Sequence, residues 1–222
     1  MAGSSYRIIA FGAHPDDCEL FCGGLAAKCA ARGDKVKFVS VTNGNAGHHR
    51  DDRETLRRRR VEEAQAAGAV LGIEYEVLGY NDGELVPSLA VRQDIIRRIR
   101  EWRADVVLSH RPHDYHPDHR YTGMAVQDAA YMVMVPPICP DVPALSHNPF
   151  FFYFWDSYKK PYPFQPDAAL CVDDVMVKKW DMMHCHGSQF YEWLPFVEGC
   201  PDPVPDAEDE RRRFLISTWT PW

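Results

Sequence analysis

The sequence predicts an α/β fold, a Rossmann-like three-layer sandwich with a mostly parallel central sheet. Three observations carry that expectation. Short apolar runs of strand length alternate with longer stretches of helical spacing along most of the chain. Glycine and proline punctuate the joins between them. A length of 222 residues with 45% apolar content suffices for one sizeable core, and there is no internal repeat or low-complexity segment. Residues 1–222 read as one domain, with 195–222 as a C-terminal extension whose role the sequence leaves open.

The elements follow in order. Arg7 to Gly12 is an apolar run closed by glycine, the pattern of a buried strand. Pro15 to Arg32 reads as a helix, with Pro15 near its first turn and Gly33 just past its end. Val36 to Thr42 alternates as a second strand and stops at Asn43-Gly44-Asn45. A helix is expected from about Asp52 to Leu71, where Leu56, Ala64, Ala67 and Leu71 keep mixed three- and four-residue spacing. Glu74 to Leu78 is a third strand, Val91 to Trp102 a helix, and Asp105 to Ser109 a fourth strand. Pro117 opens a helix to about Met134, and the prolines from Pro136 to Pro149 force a loop. Phe150 to Trp155 and Ala168 to Val172 are expected as strands, and Asp173 or Asp174 as the cap of a last helix through about His186.

Composition narrows the function classes. With 25 basic and 32 acidic residues the formal charge is −7, which argues against a nucleic-acid partner. The run Arg57 to Arg60 wraps around its helix, with Glu54/Arg58 and Arg59/Glu63 at pairing distance, so a solvated face is expected. The alternative has one of these arginines reaching an anionic substrate. Met1 to Ser5 leads into the first strand without the apolar region of a signal peptide. No apolar stretch approaches the ~20 residues of a membrane span. Seven cysteines without a C-x-x-C pair suggest structural thiols in a reducing, cytoplasmic setting. Cys18 lacks a convincing base and is a weak nucleophile candidate.

Chemistry concentrates in two segments: Ala13-His14-Pro15-Asp16-Asp17-Cys18-Glu19, and His113-Asp114-Tyr115-His116-Pro117-Asp118-His119. Each sets imidazole and carboxylate groups three residues apart beside a proline that can open a helix. The first follows strand one and the second follows strand four. If the strand order reverses between those two, as in doubly wound sheets, both flank one crevice. A catalytic zinc takes three His, Asp or Glu ligands and leaves a position open. His14 and Asp17 can turn toward one ion, and His119, early in another helix, is well placed as the third ligand. Asp16 is then free as a general base. His116 can meet developing negative charge if protonated, a state that Asp118 or a neighbouring acid would favour.

Blander readings compete. One of Asp16 and Asp17 could simply favour a helix N-terminus, which leaves the rest of both segments unexplained. The three-residue recurrence of His110, His113, His116 and His119 is broken as a helical stripe by Pro112 and Pro117. His110 reads as a structural residue at a strand end, His113 stays undecided, and His48, His49 and His147 read as exposed loop residues.

At these residues the chain resembles the LmbE-like (PIG-L) zinc-dependent N-acetylglucosaminyl de-N-acetylases. The signature A-H-P-D-D-x-E stands at Ala13 to Glu19, followed by Gly23-Gly24, and D-x-H-P-D-H stands at Asp114 to His119. Further landmarks are Thr42-Asn43-Gly44, Glu62-Glu63-Ala64 with Leu71-Gly72, and His186-Gly187-Ser188-Gln189.

The resemblance covers roughly residues 6 to 190. It implies one Zn2+ per chain, or another divalent ion such as Fe2+, on His14, Asp17 and His119. Asp16 would be the base, His116 the oxyanion partner and Asp118 its tuner. Arg60 or a neighbour, and Asp82, fall where relatives meet substrate, while His186, at the end of the last helix, reads either as a structural residue or as a group near the pocket mouth that meets substrate. The function so implied is hydrolysis of an N-acetyl amide on an N-acetylglucosamine-type or related sugar conjugate. The partner is that small sugar substrate, without nucleic acid or membrane span; relatives often form homo-oligomers. The alternatives are a metal-dependent phosphoesterase, which needs a second ion, and a sugar-binding relative that has lost turnover. The aromatics Phe150 to Trp155, Tyr158 and Tyr162 suit either sugar stacking or a buried strand with an aromatic loop.

Overall fold

The computed structural model describes residues 5–200 and 202–219. The readings placed on Met1 to Ser4 and on Thr220 to Trp222 lie outside the described residues. Five strands form one sheet: β1 (Arg7–Gly12), β2 (Lys35–Thr42), β3 (Glu74–Tyr80), β4 (Val106–Ser109) and β5 (Phe150–Tyr153). The order is β3-β2-β1-β4-β5 and every neighbouring pair is parallel. Parallel strands need crossovers, and helices supply them. On one face lie α1 (Asp17–Arg32), α2 (Arg53–Leu71) and α5 (Met176–His184), packed on Ile8, Ala10 and Phe38. On the other lie α3 (Leu89–Trp102) and α4 (Pro117–Ala129), packed on Ile9, Phe11 and Val39. Consecutive residues of β1 thus serve opposite cores, as the two-residue period of a strand requires. The expected three-layer α/β architecture is borne out.

The reversal of strand order falls at β1, between β2 and β4. The segments leaving β1 and β4 therefore open into one crevice at the carboxyl ends of the strands, the usual ligand position in such sheets.

Several local expectations are corrected. Ala168 to Val172 is loop rather than strand: Leu170 is half exposed, and among the described residues the five-stranded sheet ends at β5 with no strand paired beyond it. Asp173 and Asp174 sit in a 3-10 turn before α5 rather than capping it, and Asp174 pairs instead with Lys28. The helix α4 stops at Ala129 because Tyr131 adopts a positive φ of 65°, and a short 3-10 turn, Met132–Met134, follows. The fully buried Arg100 holds that turn by donating to the carbonyls of Met132, Val133 and Val135. The C-terminal extension, whose role the sequence left open, carries defined elements. After a π-helical turn, Gln189–Trp193, come α6 (Leu194–Glu198) and α7 (Glu208–Trp219). Leu215 and Trp219 of α7 pack with Met183, Phe190 and Tyr191 in a third apolar cluster. Among the described residues no helix is long and apolar enough to cross a membrane.

Candidate active site

The turn from β1 into α1 is unusually tight. A Cβ on Gly12 would lie 2.8 Å from the Asp17 Cβ, so only glycine lets the chain enter the helix here. Asp16 stands at the N-cap with φ 150°, a region L-residues rarely occupy, and its side chain makes no cap bond. That carboxylate turns instead to Arg60, whose Nη2 lies 3.3 Å from Oδ2 and donates to the Pro15 carbonyl at 2.5 Å. Arg60 is 2% exposed. Gly44, with φ 67°, closes over it, and a Cβ there would meet Arg60 Nε at 2.9 Å.

Asp17 faces the other way. Its Oδ2 accepts from the His14 amide at 2.7 Å and lies 3.2 Å from His110 Nε2 and 3.5 Å from His14 Nδ1. Its Oδ1 lies 3.4 Å from His119 Nε2. Adjacent carboxylates thus point to different neighbours, one to an arginine and one to three imidazoles.

The turn from β4 into α4 is regular. His116 caps the helix, its Nδ1 accepting from the Asp118 amide at 3.2 Å, and Pro117 occupies the first turn. Asp114 accepts from the His116 amide at 3.0 Å and from His119 Nδ1 at 3.1 Å, which leaves His119 Nε2 to face Asp17. The Asp118 carboxylate accepts from the amides of Gly83 (2.7 Å) and Leu85 (3.3 Å) and lies 3.3 Å from His14 Nε2. Asp82 Oδ1 is 3.2 Å from the same His14 nitrogen.

The electrostatics differentiate these groups. Burial pushes the Asp16 carboxyl up to about 6, against the opposing pull of Arg60 and with help from Asp17. Burial also acts on Asp17, but the imidazoles of His119 and His110 hold it well below the usual carboxylate range. For His14, burial is outweighed by Asp118, Asp17 and Asp82, and its proton affinity rises well above the ordinary value. Burial is likewise overcome for His119 by Asp17 and Asp114, which raise it to about 9.

His116 departs from expectation. Burial, then the charges of His14 and His119, push it down to about 4, although Asp118 and Asp82 pull the other way. Asp118 spends its oxygens on His14 and two amides, so it is no direct partner of the His116 ring.

The structure brings His14, Asp16, Asp17, Asp82, His116, Asp118 and His119 together. Two residues expected at the substrate are buried. Arg60 lies beneath the β1 turn, so the solvated reading of the arginine run fails for it, while Arg58 is exposed, Arg57 is half-buried and Arg59 pairs with Glu63 and Glu192. His186 is fully buried rather than near a pocket mouth, its Nε2 2.9 Å from Glu19 and its Nδ1 without a partner.

His110, read as a structural residue at a strand end, is buried there, stacks on His119 with ring centroids 4.1 Å apart and touches Asp17. One residue was missed. Asp114 orients His119; its position five residues ahead was the available signal. The His48 side chain is buried against Glu192, not exposed, and His49 stacks on Phe196. Neither His113 nor His147 joins the cluster: His113 lies by Tyr162, and His147 is exposed. The Cys18 thiol is buried and pushed well up by that burial, so it is no nucleophile.

Three sets of side chains can each bring one ligand atom apiece within 4.8 Å of one another: His14/His116/His119, Asp17/His110/His119 and His14/Asp82/Asp118. The expected trio is spread across the first two sets. Mixed imidazole and carboxylate donors suit zinc or a similar divalent ion, and the Asp114–His119 contact is the kind that orients a metal-binding histidine. Beside Asp17, Asp114 and His119 opens a pocket of about 530 Å3, walled by residues of α1, α5, α6, α7 and the Trp155–Tyr158 loop.

A doubly wound parallel sheet with such a histidine–carboxylate cluster at its switch point defines an α/β enzyme built around a metal-capable site. The family profile "PIG-L: GlcNAc-PI de-N-acetylase" matches residues 9–130, and the chain belongs to that family of enzymes. The chain is 28% identical over 204 residues to the diacetylchitobiose deacetylase of Thermococcus kodakarensis, covering 86% of this chain and 74% of that one. It is 30% identical over 239 residues to the 1D-myo-inositol 2-acetamido-2-deoxy-alpha-D-glucopyranoside deacetylase of Thermobispora bispora, covering 94% and 74%. In fold it is similar to the N,N'-diacetylchitobiose deacetylase of Pyrococcus horikoshii solved with an inhibitor, with a TM-score of 0.76 at 24% identity, covering 88% and 77%.

Proposed function

We propose that the chain hydrolyses the N-acetyl amide of an N-acetylglucosamine-type conjugate, with one zinc ion held by His14, Asp17 and His119. The observation that carries this reading is Asp16. It is a buried carboxylate relieved of cap duty, held near neutrality beside the ligand cluster, and fixed from behind by Arg60. When bound, zinc supplies Lewis acidity, which polarises the acetyl carbonyl and makes water more acidic. Asp16 takes the proton from attacking water and returns it to the departing nitrogen, work that needs a group whose pKa lies near the working pH. Because His116 Nδ1 accepts the Asp118 amide, the ring's proton sits on Nε2. His116 therefore meets the oxyanion as a neutral donor, not as the imidazolium expected at first. Such a donor is worth about 3 kcal/mol in the transition state.

Asp118 acts through His14, with Asp82 beside it, by orienting that ligand. Arg60 positions Asp16, and His186 neutralises the buried Glu19.

Two of the donor sets, Asp17/His110/His119 and His14/Asp82/Asp118, share no residue and so raise the two-ion phosphoesterase alternative. Against it, His110 Nε2 already lies 3.2 Å from the Ala13 amide, and both Asp118 oxygens accept main-chain N–H groups. The test is acetate release from a panel of N-acetylglucosamine conjugates by chelator-treated protein, before and after zinc is restored. Activity returning at one equivalent per chain is expected. Two equivalents with release of inorganic phosphate from phosphomonoesters, and no acetate, would replace the deacetylase with its rival.

A further inference from the structure

The pocket beside Asp17 and His119 has a second end that the proposed chemistry does not use. Its walls are mainly apolar, with Leu20, Phe21, Trp155, Leu194 and Trp219 among them, yet Lys179 also lines it. The Lys179 stem crosses α1 at Gly23, where an added Cβ would lie 3.3 Å from Lys179 Cγ, so the glycine leaves the lysine room to pass. Its Nζ donates to the Leu20 carbonyl at 2.8 Å. No carboxylate lies within ion-pairing distance of it among the described residues. Burial lowers its proton affinity, as expected for an ammonium without a counter-charge.

The other charges around the pocket are placed differently. Asp156 is bound through both oxygens by Arg111 at 2.6 Å, and Asp114 is taken by His119. Glu198 also lines the pocket but is exposed, and partial burial raises its proton affinity. One buried donor lacks an acceptor: among the described residues the indole Nε1 of Trp219 has no hydrogen-bond partner. Buried donors left without acceptors are costly, and a ligand that supplies the acceptor recovers that cost.

We propose that this pocket is a subsite for an apolar arm ending in a carboxylate, carried by the substrate and received by Lys179. The inference rests on the deacetylase reading only for the identity of the reacting end. It makes the substrate an N-acylated amine with an anionic substituent, on the acyl or the amine side of the scissile bond. Lys179 sets specificity and takes no part in bond breaking.

The subsite can be tested without turnover. Trp155 and Trp219 lie in the pocket, so tryptophan fluorescence reports its filling. Wild-type protein and Lys179→Met would be titrated with 4-phenylbutyrate and with neutral 4-phenylbutanamide. Wild type should bind the carboxylate at least tenfold more tightly than the amide. Lys179→Met should reduce that preference to under twofold and leave amide binding unchanged, while Lys179→Arg should keep it. Equal binding of the two probes by wild type overturns the proposal even if the Met variant fails to fold. So does a preference that survives in Lys179→Met, since that would place the carboxylate on another cation. Rates on N-succinyl against N-acetyl amines, and on N-acetyl amines with carboxylated against neutral leaving groups, show which side bears the anion. A panel that releases no acetate while the fluorescence preference stands would reject the deacetylase reading and leave the subsite intact.

Discussion

The turn after β1 and the turn after β4 each carry a strand into a helix through a His-Pro-Asp sequence, but only the second caps its helix. There His116 accepts an amide, the proline fits the first turn, and the backbone is relaxed. In the first, Asp16 holds a φ of 150° and gives no side-chain bond to α1. Strain of that kind costs about 1–3 kcal/mol and persists only where surroundings over-determine it. Here Arg60, Gly12 and Gly44 do so. The difference shows how one motif yields two duties. The relaxed turn places the two imidazoles that we propose as donor and ligand, while the strained turn releases a carboxylate that a normal cap would have consumed.

The comparison can be broken most severely at Asp16. Asp16→Asn keeps size and removes the base, so acetate release should fall by about 10²–10⁴-fold at unchanged zinc content. A variant that retains wild-type rates would strip the strained turn of its role.

The next test separates the two duties of His116. Asparagine caps helices well, so His116→Asn should fold normally while losing about 10²–10³-fold in kcat. His116→Ala should match that loss and give up a further ~1 kcal/mol in urea unfolding. Equal stability of the two variants would show that the cap contributes nothing.

A smaller effect is expected behind the ligands. Asp114→Asn, which weakens the hold on His119 Nδ1, should lower metal affinity by about 10–100-fold in competition with a chelator.

The smallest effect distinguishes adjacent carboxylates by pH. With a folded value of about 6 against about 4 unfolded, Asp16 leaves the native state binding more protons between those values. Stability of the metal-free protein, relative to Asp16→Asn, should therefore decline as pH rises from about 4 to about 6 and level off above. Asp17, held low, contributes in the opposite sense: its stabilisation is present above the unfolded value of about 4 and is lost as pH falls below it. Urea unfolding across pH 3–7 after chelation checks both signs.

The fold was legible where local chemistry repeats. Apolar runs, Gly33 past the first helix and the bounds near Asp52 and Leu71 of the second all mark boundaries that the structure keeps. The reading went astray where a partner from elsewhere decides. Ala168 to Val172 looks like a strand yet finds no neighbour, and the end of α4 is set by Tyr131 together with carbonyls that Arg100 collects from across the chain. Most of the site was legible too, because ligand chemistry demands particular residue types at short spacing. What short spacing does not show is that the strand-end His110 meets Asp17, a contact that spans 93 positions.

The sequence by itself determined the family, the parallel α/β order and the two segments that meet at the switch point. All of these rest on local pattern and on a signature that few arrangements of residues share. The tertiary structure alone decided that Arg60 is buried beneath Asp16 and that His186 neutralises Glu19. It also decided that burial lowers the proton affinity of His116 and that Lys179 lines the pocket with no carboxylate at ion-pairing distance among the described residues. Those outcomes depend on burial and on which groups face one another across the core. Neighbour spacing carries no record of either.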